Sequence, residues 1–554
     1  MESYCSRNNC YKLTTYWLKQ QFGGKYKWTT LEHNGVLFPP EYKPLSIPII
    51  YKGEQIILEP EIEAIALIYS KYTDTEYVNN KIFRRNFWND FKKMLGKSHT
   101  IQDLENCDFK LFNEYLLREK ERKDNMTKEE KEELKKQKEE EDKPYRYAIV
   151  DGKEQPVGNF RIEPMGIFIG RGCHPKLGKI KQKIIPEDIT LNLSKDAKIP
   201  ELPDQFKSNK WGKIIHDRSV EWLASWKDDI SGKTKYVWLG AHSEIKGKND
   251  MEKFDLARKL KKKIKTIREK NEENFKSPDI ILKQIATALY FIDKFALRVG
   301  NEKGSDEADT VGVTSLRVEH IELVGVNMIK LDFLGKDSVR YLNTVTVEPV
   351  VYINVSEFMK NKERDDNLFD KIIPNDLNKY LQNFMKGLTA KVFRTYNASN
   401  VFQKELKKIS VKYENIDTTD KINLLLDGFN KANAKVATLC NHQKNISKSF
   451  ADQLDKINDR LKKLKSKLKK IKKNSKNNDR INKIKIKIEE LKGKKGLKIE
   501  MKNISLGTSK INYIDPRITV AFMKKHNLPV DKIFNKTLQE KFKWAFGVSD
   551  DYTF

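Results

Sequence analysis

No run of about 18 apolar residues occurs in the chain, so the sequence offers no membrane-spanning helix. The opening stretch Met1–Lys12 has no apolar core of the kind a secretory signal requires. Cysteine is scarce: Cys5, Cys10, Cys107, Cys173 and Cys440 are odd in number, scattered and never spaced C-x-x-C. That pattern suits a reducing compartment and supplies no zinc framework. Acidic residues are also short. Against 107 Lys and Arg stand 78 Asp and Glu, a formal net charge of +29 in 554 residues. Such a surplus points to a polyanionic partner: DNA, RNA or an anionic membrane.

The signatures of nucleotide hydrolysis and metal chemistry are missing too. Gly232-Lys233-Thr234 looks like the end of a phosphate-binding loop, but Lys227 stands where its first glycine is required. Gly96-Lys97-Ser98 fails in the same way, with Phe91 at that position. The eight histidines never form H-E-x-x-H or another pair at ligand spacing. A chain that handles nucleic acid on these terms must draw its chemistry from side chains. Breaking a phosphodiester then needs a nucleophile, cations on the nonbridging oxygens and an acid for the leaving oxygen. Arginine suits the oxygens, because its planar fork is bidentate and always charged. Tyrosine suits the nucleophile, because its phosphate ester keeps the bond energy for resealing.

What is present reads as several domains. Hydrophobic residues make up 38% of the chain, enough for packed cores. Residues 1–27 form a short polar tail. From Trp28 the sequence turns globular, with strand-like Ile49–Leu58 and an amphipathic helix over Ile62–Tyr72. Leu117–Asp142 alternates Glu and Lys and reads as a solvated helix laced by i,i+4 pairs. Residues 145–240 carry short β-branched segments. A basic helix follows over Asp250–Phe275, then a helix over Pro278–Ala296 with Ile281, Ile285, Leu289, Ile292 and Ala296 on one face. Met328–Phe333 and Val339–Tyr341 read as strands, and Leu377–Lys386, Val401–Lys408 and Lys421–Asn441 as helices. Residues 451–500 hold 19 Lys/Arg against 7 Asp/Glu. Leu454, Ile457, Leu461, Leu464, Leu468 and Ile471 recur at the coiled-coil period. Polar Asn474–Asn478 interrupts the pattern, which resumes with Ile481, Ile484, Ile488 and Leu491 before Gly493 and Gly496. Two seams around a helix-breaking stretch predict a basic, projecting, antiparallel helical hairpin.

Five segments carry candidate chemistry. Phe291–Lys303 sets Arg298 at the end of an apolar helix. Gly335-Lys336-Asp337 reads as a tight turn between strands, with Lys336 at its tip. Ala390–Asn397 places Arg394 amid apolar neighbours. Asn441-His442-Gln443 closes an apolar helix, and Thr508–Arg517 sets Tyr513 before a proline turn. Singly, each has an ordinary structural reading: a surface arginine, a solvated turn lysine, a capping histidine, a packed tyrosine. Composition and spacing alone stop at a basic, multi-domain, DNA-binding chain.

From Trp28 to Phe554 the same segments resemble the eukaryotic-type DNA topoisomerase I (type IB) family. The resemblance rests on extended motifs, among them Leu31-Glu32-His33-Asn34-Gly35-Val36, Gly170-Arg171-Gly172-Cys173-His174-Pro175-Lys176, Glu307-Ala308-Asp309-Thr310-Val311-Gly312 and Gly387-Leu388-Thr389-Ala390-Lys391. It implies a multi-domain α+β clamp. A mixed α/β cap lobe would span 28–240 and a mainly helical catalytic lobe, of the tyrosine recombinase/topoisomerase IB type, 241–444. A coiled-coil linker hairpin would follow over 445–498, then a C-terminal domain with the nucleophilic tyrosine over 499–554. Tyr513 would be the nucleophile, Arg298, Arg394 and His442 would stabilise the scissile phosphate, and Lys336 would be the general acid. Arg171, His174, Lys176, Asp337, Lys391 and Asn512 would contact DNA or sit beside the cleavage site.

The implied reaction is relaxation of supercoiled double-stranded DNA through a 3′-phosphotyrosyl intermediate. It needs neither ATP nor an essential divalent metal, and the protein would act as a monomer clamped around the duplex. The resemblance also implies a nuclear setting. Only 27 residues precede Trp28, where the family usually carries a long charged region with import signals, so a viral or cytoplasmic-factory version is a second expectation. Ile169 stands where the family often has another arginine, and the linker is shorter than in many relatives. The rival enzyme is a tyrosine recombinase, but none of the histidines has Arg three residues later, and Lys391-Val392-Phe393-Arg394 occupies that place. A non-enzymatic DNA-binding scaffold is the other rival.

Overall fold

A computed structural model describes residues 26–554 apart from 305, 415–420, 445, 447–448 and 475–477. The expected tail over residues 1–27 lies almost wholly outside the described residues. The chain is mixed α and β and separates into two compact units. The first runs to Asn249 and takes in Lys303–Thr310; the second comprises Asp250–Glu302 and Val311–Phe554.

The first unit holds two apolar cores. One is aromatic. Phe83, Phe87, Phe91 and Leu95 recur every four residues along the helix Lys81–Leu95, so they form one buried stripe. Asn80 starts that helix: its Oδ1 accepts from the backbone N–H of Ile82 (2.9 Å) and of Phe83 (3.2 Å). Tyr69, from the helix Pro60–Ser70, stacks on Phe87 at 3.9 Å between ring centroids. Ile49 and Tyr51, from a small antiparallel sheet, close the core. The other core lies between a three-stranded antiparallel sheet (Leu31–His33, Tyr147–Val150, Lys153–Pro156) and a four-stranded sheet. The latter is ordered Lys213–Ile215, Thr190–Asn192, Trp222–Lys227, Thr234–Trp238, its first pair parallel.

The charged stretch expected as one helix is two, Lys110–Asp124 and Lys128–Asp142. The reason is local. Thr127 Oγ1 accepts from Glu130 N (3.1 Å) while Glu130 Oε2 accepts from Thr127 N (2.7 Å), a reciprocal cap that restarts the helix. Glu119–Arg122 and Lys135–Glu139 are the intrahelical ion pairs there, at 2.9 Å and 3.8 Å.

The second unit centres on the helix Ile280–Lys294. A single apolar face was expected, yet every residue from Gln284 to Asp293 is buried. The helix is surrounded rather than laid on a surface, and its polar groups are paired accordingly. Gln284 donates to Asp370 Oδ1 (2.9 Å), and Asp293 receives Arg268 through two bonds of 2.7 and 3.0 Å. Around it pack Ala390–Lys412, Pro349–Met359 and a three-stranded antiparallel sheet whose long hairpin is Met328–Gly335 with Val339–Thr346. The helices Phe450–Asn474 and Asn478–Glu500 pack on each other through Leu461, Ile484 and Ile488. The second helix does not stop at Gly493 and Gly496 but runs through both. The turn predicted between the two helices falls largely on 475–477, outside the described residues.

His33, part of the first motif behind the resemblance, serves the fold. Its Nδ1 accepts from Gly35 N and its Nε2 bonds the carbonyl of Asn192, both at 3.0 Å, so the ring joins two sheets. Burial pulls its pKa down to about 4. The unfolded chain therefore takes up this proton first, near the ordinary pH of about 6.5, and stability falls as pH drops from there towards 4. At pH 4 the penalty approaches about 3 kcal/mol. Denaturant unfolding at pH 7 and pH 4.5 should show a smaller acid loss for the first unit in His33→Gln than in wild type.

Candidate active site

The site assembles where several helices of the second unit end. Beyond Lys294 the chain turns through Ala296, at φ +49°, into an irregular segment from Leu297 to Gly300, where φ is again positive (+91°). The carbonyl of Arg298 accepts from Val313 N (2.8 Å) and that of Val299 from Thr314 N (2.7 Å). The two backbones meet at Gly300 and Gly312. A Cβ on Gly300 would come within 2.8 Å of Gly312 Cα, and one on Gly312 within 2.5 Å of Gly300 Cα. Val311 N in turn donates to Leu334 O (2.8 Å), which joins this ladder to the hairpin carrying Lys336.

Arg394 lies in the second turn of Ala390–Lys412 and is buried. Its Nη1 donates to Ala296 O and its Nη2 to Cys440 O. Both carbonyls lie just past a helix C-terminus, where backbone acceptors lose their intrahelical donors. The guanidinium thus ties the two ends together. Its Nε is buried without a hydrogen-bond partner. No carboxylate pairs with Arg394 among the described residues.

Tyr513 ends the short helix Leu506–Asn512 and is half-buried. Arg298 Nη1 donates to its phenolic oxygen at 3.2 Å. The Arg394 guanidinium lies 5.2 Å from the centre of its ring, and the His442 ring, tilted by 30°, also lies 5.2 Å away. His442 Nε2 is 3.4 Å from Arg394 Nη2, and Nδ1 is 2.6 Å from Ser509 Oγ. Burial, then Arg394 and Arg298, hold the His442 pKa down to about 3, so the ring is neutral at physiological pH.

The other expected residues are placed differently. Lys336 is exposed in the three-residue loop between Gly335 and Val339, whose Asp337 and Ser338 adopt left-handed backbone (φ +66° and +56°). It makes no hydrogen bond or ion pair among the described residues. The hairpin is tied to the histidine segment close to this turn: Arg340 O accepts from Asn441 Nδ2 (3.4 Å) and Gln443 Nε2 (3.3 Å). Asp337, Lys391 and Asn512 are exposed, and Asn512 Nδ2 bonds back to Thr508 O (3.2 Å). Arg171, His174 and Lys176 belong to the first unit. Arg171 is exposed. His174 Nδ1 accepts from Lys176 N (3.1 Å), and Lys176 Nζ bonds Ile230 O (2.7 Å) and Asp306 Oδ2 (2.8 Å).

Residues not singled out from the sequence brace the tyrosine. Ser399 Oγ donates to Tyr513 O (3.1 Å) and accepts from Asp515 N (3.0 Å). Asp515 is fully buried, caps the next helix and receives Arg517 Nη2 (2.9 Å) and Tyr552 Oη (3.1 Å). Asp515 and the neighbouring Asp255 drive the Arg517 pKa above its ordinary value despite burial, while burial and Asp515 raise that of Tyr552.

The site is therefore a phenol set among two guanidiniums and a neutral imidazole, an arrangement suited to group transfer at an anionic centre. Comparison with known proteins agrees in class. Residues 242–475 match the eukaryotic DNA topoisomerase I catalytic core, 26–239 its DNA binding fragment and 485–554 the C-terminal topoisomerase domain. The chain is 46% identical to DNA topoisomerase 1 alpha of Arabidopsis thaliana over 96% of its own length and 60% of that protein. It is 42% identical to DNA topoisomerase 1 of Homo sapiens over 97% of its length and 73% of that protein. The chain thus belongs to the eukaryotic DNA topoisomerase I family, while spanning only about 60% of the two plant relatives it matches.

The brace makes a stability prediction. Asp515→Ala leaves the buried Arg517 with Asp255 (2.8 Å) as its remaining carboxylate partner and, by removing charge-assisted hydrogen bonds, should cost about 1.5–3 kcal/mol. Urea unfolding of the variant beside wild type measures it.

Proposed function

We propose that the chain is a type IB DNA topoisomerase, an isomerase that relaxes supercoiled duplex DNA without ATP. The observation that carries the reading is the convergence of Tyr513, Arg298, Arg394 and His442 at one place in a chain of this family. Tyr513 Oη attacks the phosphorus of one strand and the bond to the 5′-oxygen breaks. A 3′-phosphotyrosyl ester forms, and the phenolic proton passes to solvent. Lys336 protonates the departing 5′-oxygen to give a hydroxyl. The broken strand rotates about the intact one, and the hydroxyl then attacks back.

Each group has a physical reason for its part. Arg298, donating to the phenolic oxygen, holds the nucleophile beside the cations that would receive the phosphate. Arg298 and Arg394 neutralise charge growing on the nonbridging oxygens. Neutral His442 adds a hydrogen bond from Nε2 once its proton resides there. Arg394 Nε, buried and unsatisfied, is a further donor that an entering phosphate satisfies. No step draws on ATP or requires a divalent metal.

The partner is double-stranded DNA, gripped through its phosphates by a monomeric two-lobed clamp, with 28–240 as cap lobe and 241–444 as catalytic lobe. Arg171, His174, Lys176, Asp337, Lys391 and Asn512 lie along the DNA path. Residues 445–498 form the basic antiparallel coiled-coil linker over the downstream duplex, and 499–554 the domain presenting Tyr513. The setting is nuclear, with a viral or cytoplasmic-factory version as the alternative.

Relaxation of supercoiled plasmid in EDTA, without ATP, tests the reading. Wild type should relax it and yield a covalent adduct on denaturation; Tyr513→Phe should still bind DNA and yield none. An adduct formed by the Phe variant overturns the assignment. A chain lacking 451–500 should still cleave but relax DNA at a different rate or with different processivity. Loss of cleavage would mean that the hairpin also positions Tyr513.

A further inference from the structure

Ser509 is fully buried one helical turn before Tyr513. Its carbonyl accepts from the N–H groups of Tyr513 and Ile514, both at 3.0 Å, and its hydroxyl lies 2.6 Å from His442 Nδ1. On the other side of the imidazole, Nε2 faces Arg394 Nη2 at 3.4 Å. A guanidinium can only donate, so in the free protein Nε2 presents its lone pair, and Nδ1 carries the proton and donates to Ser509 Oγ. To donate to a phosphate oxygen, the same neutral ring must carry its proton on Nε2, and Nδ1 must then accept. A backbone carbonyl or a carboxylate at Nδ1 could serve only the first state, and a lysine only the second. A hydroxyl serves both, because it donates or accepts by rotating about one bond.

We propose that Ser509 is a positioning residue for His442: its hydroxyl partners Nδ1 in both neutral tautomers, letting Nε2 change from acceptor to donor as a phosphate enters. The proposal rests on the cleavage reading above. The interconversion removes one proton from Nδ1 and places one on Nε2 by exchange with solvent, so net protonation is unchanged. Ser509 shares a short helix with the nucleophile, so one element sets both the phenol and the orientation of the imidazole. The absence of a charged partner at Nδ1 also fits a ring kept neutral by burial and by two arginines.

Single-turnover cleavage of a short duplex tests this. Ser509→Ala removes one oxygen and should slow cleavage about tenfold to a hundredfold, the range for stranding a buried hydrogen-bonding group. DNA affinity should stay unchanged. Ser509→Thr keeps the hydroxyl and should restore most of the rate; Ser509→Cys, a weaker partner of similar shape, should fall between Thr and Ala. In a Ser509→Ala/His442→Gln double variant the loss should saturate at that of His442→Gln, because the serine acts through the histidine. Wild-type cleavage by Ser509→Ala, or losses that multiply in the double variant, overturn the proposal. A wild type that forms no adduct at all would defeat the cleavage reading itself. Adducts forming equally fast in wild type and Ser509→Ala defeat only the role of Ser509.

Discussion

The site depends on a positive charge buried without a counterion among the described residues. Removing a guanidinium from water is expensive unless its surroundings compensate. Around Arg394 the compensation is partial: two carbonyls at helix ends, the face of Tyr513 and the edge of a neutral imidazole. Arg298 adds a second cation at the phenolic oxygen. Such a pocket is electrostatically suited to an anion. The helix ends, the left-handed turn at Ala296 and the ladder from Arg298 to Leu334 all hold this charge where solvent cannot neutralise it.

The neutrality of His442 belongs to the same constraint. A third full charge in that space would repel both arginines, and burial already opposes it. The imidazole can still hydrogen-bond, so it contributes direction rather than charge. That makes its tautomer, and the group across from Nδ1, a matter of chemistry as much as of packing.

Much of the fold was legible because periodic burial writes itself into sequence. The helix expected over Ile62–Tyr72, the strands flanking Lys336 and the paired apolar seams after Phe450 all coincide with elements of the structure. The failures have local causes. A reciprocal Thr127–Glu130 cap divides a charge-rich segment whose composition is uniform, and the helix Ile280–Lys294, expected with one apolar face, is buried all round because other elements surround it. Of the expected residues, Tyr513, Arg298, Arg394 and His442, chemically distinctive types, are the four that the fold brings together. Ser399, Ser509 and Asp515 could not be named in advance: they are common residue types, and their importance arises from partners 67 to 116 positions away. The one available hint was that Ser509 lies four residues before Tyr513, on the same face of any helix that ends there. Conversely, Leu31–Val36 carries family resemblance yet contributes a sheet-joining histidine rather than chemistry.

The contact between Gly300 and Gly312 reaches further than its size suggests. Arg298 is two residues from the first glycine, and its carbonyl belongs to the ladder that the second glycine's strand completes. A single added methyl would wedge these two backbones apart, and the displacement would reach Arg298, two residues away. The aim of the Arg298 guanidinium is thus calibrated by empty space at its root, and even alanine at either position should misalign that cation while leaving every charged group in the site chemically intact.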